Sequence, residues 1–232
     1  MITIRPAQTR GHANFGWLDT WHTFSFGQYY DPQYLGFGSL RVINDDRIAA
    51  DAGFPMHGHE DMEIVTYVME GALEHRDSLG NQGVIEAGEV QRMRAGTGIR
   101  HSEHNASATD GIHLLQIWIV PDQKGLVPGY RQIRLDPQGR AGRFQLIASP
   151  DGREGSVDIH QDASIYAARL NPGDSITFPV NAGRRAYLQV ATGNMSLNGY
   201  PLKEGDGAAI TGEDNLRLAT EHYAEILLFD LQ

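Results

Sequence analysis

Two short segments carry side chains whose types and spacing suit shared chemistry. His57-Gly58-His59 sets two imidazoles two residues apart. In an extended strand alternate side chains share a face, so both rings project to one side while Gly58 removes bulk between them. Further along, Gly96-Thr97-Gly98-Ile99-Arg100 leads into His101-Ser102-Glu103, and the same parity puts His101 and Glu103 on one face. If these strands oppose each other across a barrel, three imidazole nitrogens and one carboxylate oxygen meet one divalent ion. The chain has no cysteine, which excludes disulfides, thiolate ligands and cysteine nucleophiles and leaves nitrogen and oxygen to hold any metal. His57, His59, His101 and Glu103 together suit Fe(II), Mn(II), Co(II), Ni(II), Cu(II) or Zn(II), and donor type alone does not choose among them. In octahedral geometry two positions stay open for a bidentate substrate, or for substrate plus dioxygen.

Other histidines are weighed against their ordinary role as surface or hydrogen-bonded core residues. His104 points away from His101 and Glu103, His75 sits at a charged strand end, and His12 and His22 lie in an aromatic N-terminal stretch. With the isolated His160 and His222, none of these is expected to bind metal. Gln116, on the strand that follows the second segment, either reaches the pocket as a hydrogen-bonding group or packs in the core.

The elements that must position these residues read as strands. Frequent glycine (27 residues) and proline (10) punctuate short runs of Val, Ile, Leu, Thr and Tyr. From Gly53 to Pro121 the alternation suggests an antiparallel meander. The grammar of strand, glycine, strand, turn and Glu-x-Gly-acidic recurs at Gly71 to Glu89 and again at Gly193 to Asp206, so the chain reads as two similar halves. Lys124 to Gly155 is rich in Pro and Gly and serves as the link. We therefore expect an all-β protein with one domain over 1–135 and a second over 136–232. The early aromatics, from Trp17 to Phe37, are expected to pack as core across a sheet.

A formal net charge of -10 with scattered Lys and Arg provides no basic stripe, which argues against direct nucleic-acid binding. Neither an apolar membrane span nor a secretory leader is visible, and the lack of cysteine fits a reducing compartment. A cytoplasmic protein, probing no membrane, is expected.

The run Gly53-Phe54-Pro55-Met56-His57-Gly58-His59 through Glu63 to Gly71 resembles the first cupin motif, and Gly98-Ile99-Arg100-His101 through Asn105 resembles the second. Ala95 to Glu103, Met62 to Gly71, Trp21 to Phe26 and Leu40 to Asp46 resemble the pirin family in particular. The resemblance spans nearly the whole chain. It implies a bicupin, two jelly-roll β-barrels packed face to face, with one metal in the first barrel and Fe(II) leading the candidates. It also implies that Glu103 supplies the carboxylate, leaving Glu63 as an alternative ligand or a partner for a neighbouring cation. Superposing the repeat puts Pro179, Asn181, Leu218 and Thr220 at the four ligand positions, so the second barrel is expected to lack metal.

The activity implied is quercetin 2,3-dioxygenation: the flavonol heterocycle opens, two oxygen atoms enter and carbon monoxide leaves. Glu103 would offset charge and accept the substrate proton. The resemblance equally implies a rival, a metal-dependent regulatory module that binds a protein partner. An enclosed apolar pocket favours the enzyme, and a surface metal beside a large exposed apolar patch favours the module. A sugar-isomerising cupin is a weaker reading, because no set of sugar-binding residues is recognisable. A monomer is expected.

Overall fold

Alternating apolar residues and glycine turns give strands from end to end. The computed structural model describes all residues 1–232 and contains 21 strands and two three-residue 3-10 turns. No helix is long and apolar enough to cross a membrane. The chain divides into two compact units.

The first unit comprises Gly11–Leu135 and Val157–Gln161. Its larger sheet has seven antiparallel strands in the order Gly129–Arg134, Glu89–Arg94, Glu63–Glu70, Ile112–Ile119, Leu40–Ile48, Leu18–His22 and Gly11–Asn14. The smaller has four, in the order Gly53–His59, Ile99–Asn105, Ala72–Asp77 and Gln82–Glu86. The expected meander is therefore corrected. Apart from the Ala72–Asp77/Gln82–Glu86 hairpin, successive strands between Gly53 and Ile119 cross between the sheets, as a jelly roll requires. Period-two alternation fixes which face of a strand is buried, but it does not say which strand is the neighbour.

Across the inner face of the larger sheet the registers place Gln91 beside Thr66, Thr66 beside Gln116, Gln116 beside Asn44 and Asn44 beside His22. All five are buried. This polar row separates an apolar cluster of Ile64, Met93, Ala95 and Ile99 from another of Leu18, Ile48, Val68, Leu73, Ile85, Ile112 and Leu114. Buried polar groups without partners are costly, so such a row needs hydrogen-bonding partners from the opposite sheet.

The second unit comprises Met1–Arg10, Asp136–Ser156 and Asp162–Gln232. The sequence reading of a single cut after residue 135 thus misses two exchanges. Ile2–Arg5 leaves the N-terminal half because it pairs with Gly207–Thr211. Val157–Gln161 returns to the first unit, where Asp158 lies against the buried Arg92 and the half-buried Arg94 at 2.6 and 2.7 Å. The main sheet of this unit runs Ile2–Arg5, Gly207–Thr211, Arg185–Leu197, Ala224–Leu231, Ala163–Leu170 and Gln145–Ser149. Opposite it, Ser175–Pro179 pairs with Asn215–Ala219, which continues onto the far end of Arg185–Leu197. Its interior is aliphatic, including Leu188, Val190, Leu216, Leu218, Ile226 and Leu228. Burying each such side chain contributes roughly 1.5–3 kcal/mol.

Candidate metal centre

The strands Gly53–His59 and Ile99–Asn105 are hydrogen-bonded neighbours in the four-stranded sheet, with His57 directly beside His101. They do not face each other across a barrel, which corrects the expected route to convergence. Strand Ile99–Asn105 alternates strictly, with Ile99, His101, Glu103 and Asn105 buried and Arg100 and His104 exposed. Asn105 anchors its end, donating from Nδ2 to the carbonyls of Ile48, Ala49 and Asp110 at 3.2, 3.1 and 2.8 Å.

The register between the two strands shifts between His101 and Glu103, so that Pro55 and Met56 together oppose Ser102. This bulge lets Phe54 and His57, three residues apart, both line the interior. Gly53 is required where the strands meet, since a Cβ there would stand 2.3 Å from the carbonyl oxygen of Glu103.

The donor atoms of His57, His59 and His101 lie within 4.8 Å of one another, and their ring centroids are 4.4 to 4.9 Å apart. His57 Nδ1 lies 2.8 Å from the carbonyl oxygen of Pro55. A carbonyl only accepts, so Nδ1 carries a proton and Nε2 is the ring nitrogen turned to the cluster. That Nε2 sits 3.0 Å from His101 Nε2. Burial, reinforced by the neighbouring His57, lowers the pKa of His59 to about 4. Burial and the charges of His57, His59 and His75 take His101 to about 2. At neutral pH both rings are uncharged and able to donate lone pairs.

Glu103 joins the cluster through His101. Its carboxylate, His101 and His75 form a second group of donors within the same 4.8 Å limit. Gln116 Nε2 donates to Glu103 Oε2 at 2.8 Å, while Oε1 is buried without a partner. Burial raises Glu103 to about 7, against the lowering effect of Gln116 and with a further raise from Asp46. Three clustered imidazoles, two of them held uncharged, and a buried, half-satisfied carboxyl lack a cation in common, and the donor set fits one divalent transition metal.

His75 was read from sequence as a strand-end residue and is instead fully buried at the centre. Gln91 Nε2 donates to its Nδ1 at 3.0 Å, leaving Nε2–H to donate to Asp77 Oδ2 at 3.2 Å. Burial lowers its pKa, although Asp77 pulls the other way. The signal was present in Leu73, His75 and Asp77, which share one parity and are all buried.

Glu63 is fully buried and belongs to the other sheet, beyond a turn in which Asp61 has φ of 48°. Strand parity does not carry through that turn. Glu63 Oε1 instead accepts from Arg94 Nε at 2.7 Å and from the backbone N–H of His160 at 3.1 Å. Among the remaining histidines, His113 pairs with Asp45 at 2.7 Å, His12 with Asp19 at 2.6 Å and His22 with Asn44 at 2.8 Å.

A cavity of about 890 Å³ opens onto His57, His59, Glu103 and Gln116. Trp17, Phe26, Tyr29, Phe54 and Trp118 contribute much of its wall. Against expectation, the aromatics from Trp17 to Phe37 do not all pack as core: Phe24 does, while Trp17, Phe26 and Tyr29 line the cavity and Tyr30 is 73% exposed. Aromatic content alone does not distinguish a packed interior from the lining of a cavity.

At the positions that the repeat placed opposite the four candidate ligands, Pro179 and Asn181 are exposed, Leu218 is buried in the aliphatic core, and Thr220 donates to the Asn194 carbonyl at 2.6 Å.

Comparison with known proteins agrees with this architecture. Residues 3–119 match the family model described as Pirin, and residues 146–231 match the Quercetinase C-terminal cupin domain. A protein of Escherichia coli K12 named quercetin 2,3-dioxygenase is 51% identical over 232 residues, covering 100% of this chain and 99% of the relative. The crystal structure of YhhW from Escherichia coli superposes with a TM-score of 0.96 at 50% identity, covering 100% of this chain and 98% of that one. A structure of the bacterial pirin YhhW in complex with nickel(II) gives 0.95 at 50% identity, covering 100% and 99%. Likeness on this scale, over both jelly rolls, leaves one conclusion about ancestry: the chain is an all-β bicupin and belongs to the pirin family.

Proposed function

We propose that the protein is a metal-dependent dioxygenase that cleaves a flavonol such as quercetin at the 2,3 position, and that His57, His59, His101 and Glu103 hold the metal. The observation that carries this reading is a set of three clustered imidazole donors and a buried carboxyl at an aromatic-walled cavity of about 890 Å³. The names and nickel(II) complex of its half-identical relatives support it.

The bound metal supplies Lewis acidity that makes the flavonol 3-hydroxyl easier to deprotonate and the resulting enolate able to react with dioxygen. The chain's own residues prepare that reaction. Pro55 fixes the His57 tautomer through its carbonyl. Gln116 holds one oxygen of Glu103, and Oε1, the oxygen left for a metal, would take the 3-hydroxyl proton on leaving the ion. A carboxyl whose pKa lies near 7 suits a group that must both receive and release a proton at neutral pH. Trp17, Phe26 and Trp118 present flat apolar faces suited to an aromatic substrate, and they limit water at the reacting carbon. A site that lies inside a cavity favours the enzyme over the regulatory module.

The finer assignments are one iron(II) per chain, a metal-free second barrel, a monomer and a cytoplasmic location. The absence of cysteine is in keeping with the last. Metal-stripped protein loaded anaerobically with Fe(II), Mn(II), Co(II), Ni(II) or Cu(II), then given oxygen and quercetin, is expected to release carbon monoxide and bleach the flavonol with at least one metal. Failure with all five overturns the reading. Elemental analysis of protein from its native host checks iron.

A further inference from the structure

Of the side chains that line the cavity, two carry a buried oxygen with no hydrogen-bond partner: Glu103 Oε1 and Asp46 Oδ1. The first belongs to the metal centre described above. The second has no role in it.

Asp46 lies on Leu40–Ile48, beside Thr20 on one neighbouring strand and Leu114 on the other. It is 2% exposed and accepts a hydrogen bond from the Thr20 side chain, which occupies one face of the carboxyl. Other polar groups of the same wall are already engaged. His22 and Asn44 bond to each other, and Gln116 serves Glu103. A carboxyl oxygen left unpaired in a buried position costs free energy unless a donor arrives, and the arriving group must come through the cavity. Lysine and arginine are absent from the lining, so the chain supplies no cation for it. Surrounding aromatic faces select a flat ring, and an unpaired carboxyl oxygen selects a hydroxyl on that ring.

From this arrangement we infer that Asp46, positioned by Thr20, is a specificity-determining subsite that accepts a hydrogen bond from a second hydroxyl of an aromatic polyol, distinct from the hydroxyl that meets the metal centre. The inference rests on the flavonol reading and deepens it. It makes the preferred substrate a polyhydroxylated flavonol instead of any molecule bearing the reacting enol.

The test compares quercetin with 3-hydroxyflavone, which keeps only the reacting hydroxyl, on metal-loaded protein. Anaerobic dissociation constants are read from the flavonol absorbance, and steady-state KM and kcat are measured separately. Asp46→Leu is expected to weaken quercetin binding about 10- to 100-fold, the worth of a hydrogen bond to a carboxylate. For 3-hydroxyflavone the loss is expected to stay under about threefold, with the quercetin effect in KM and little in kcat. Asp46→Asn, which preserves volume, is expected to show a smaller selective loss and decides the matter if the leucine variant does not fold. Equal losses for both flavonols, or none, overturn the inference while leaving the flavonol reading standing. If the unaltered protein binds neither flavonol, the reading and this inference fall together.

Discussion

In the first unit, Gly53–His59 and Ile99–Asn105 turn His57, His59, His101 and Glu103 toward the interior, and the opposite sheet answers with the row Gln91, Thr66, Gln116, Asn44 and His22. In the second unit, the antiparallel pair Ser175–Pro179 and Asn215–Ala219 turns in Phe178, Leu216 and Leu218, which pack on Leu188, Val190 and Ile226. One backbone plan carries two interiors. The apolar one is stable by close packing alone. The polar one depends on a network in which His75 meets Gln91, Glu103 meets Gln116, and some atoms, such as Glu103 Oε1 and Thr66 Oγ1, are left unpaired. Each unpaired buried atom of such a network calls for a partner from outside the chain, such as an ion or water.

Exchanging residue types between the interiors is the most direct way to break this contrast. His101→Leu gives the first unit a side chain of the second, and metal affinity is expected to fall by more than about 100-fold, beyond the loss typical of a supporting residue. The fold is expected to survive, because His101 Nδ1 has no partner to lose. The mirror change, Leu218→Ala, is expected to cost about 2–5 kcal/mol in denaturant unfolding while metal content stays the same. A metal-replete His101→Leu protein would remove His101 from the ligand set, and a metal-depleted Leu218→Ala protein would show that the interiors are not independent.

His75→Leu tests whether the network extends past the candidate ligands. It strands Asp77 and Gln91 without their shared ring, and a loss of roughly 1–3 kcal/mol is expected. An unchanged unfolding midpoint would make His75 a bystander.

The smallest expected effect is on pH dependence. Burial raises both Asp46 and Glu103 to about 7 from ordinary carboxylate values of 3.8 and 4.5. Their neutral forms therefore favour the folded, metal-free protein fully below the ordinary range, and that contribution is lost as pH rises through about 7. The lowered His59 and His101 act in the opposite sense, adding stability as pH rises toward about 6.5, so the acids are read by difference: between roughly pH 5 and 8 the thermal midpoint of the unaltered metal-free protein is expected to drop by a few degrees relative to that of Asp46→Leu. Metal loading near pH 6 is expected to release protons, measurable as a heat of binding that changes with the buffer. A difference from Asp46→Leu that stays constant across this window would mean Asp46 is not neutral in the folded chain.

Much of this contrast was legible in the sequence. Alternation exposed the strands, and the His57, His59, His101 and Glu103 spacing identified the inward faces because parity is a local property. What escaped was non-local. The side-by-side pairing of His57 with His101 depends on which strands become neighbours, and the bulge at Pro55 and Met56 alters parity without any signature but a proline. His75 was hidden by charged flanking residues, Glu74 and Arg76, which point outward and bond to each other at 2.7 Å. The polar row was invisible because its members lie on five separate strands, most of which carry other polar residues, such as Arg92 next to Gln91 and Asp45 next to Asn44. Only the register across five strands shows that they stand in line.

That row has a consequence for the life of the protein in a cell. A chain whose interior is completed by an ion is easier to open before it acquires one, since whatever binds the folded form alone deepens its well by mass action. Proteases sample opened molecules, so the standing amount of this protein should follow the supply of its metal even when synthesis is constant.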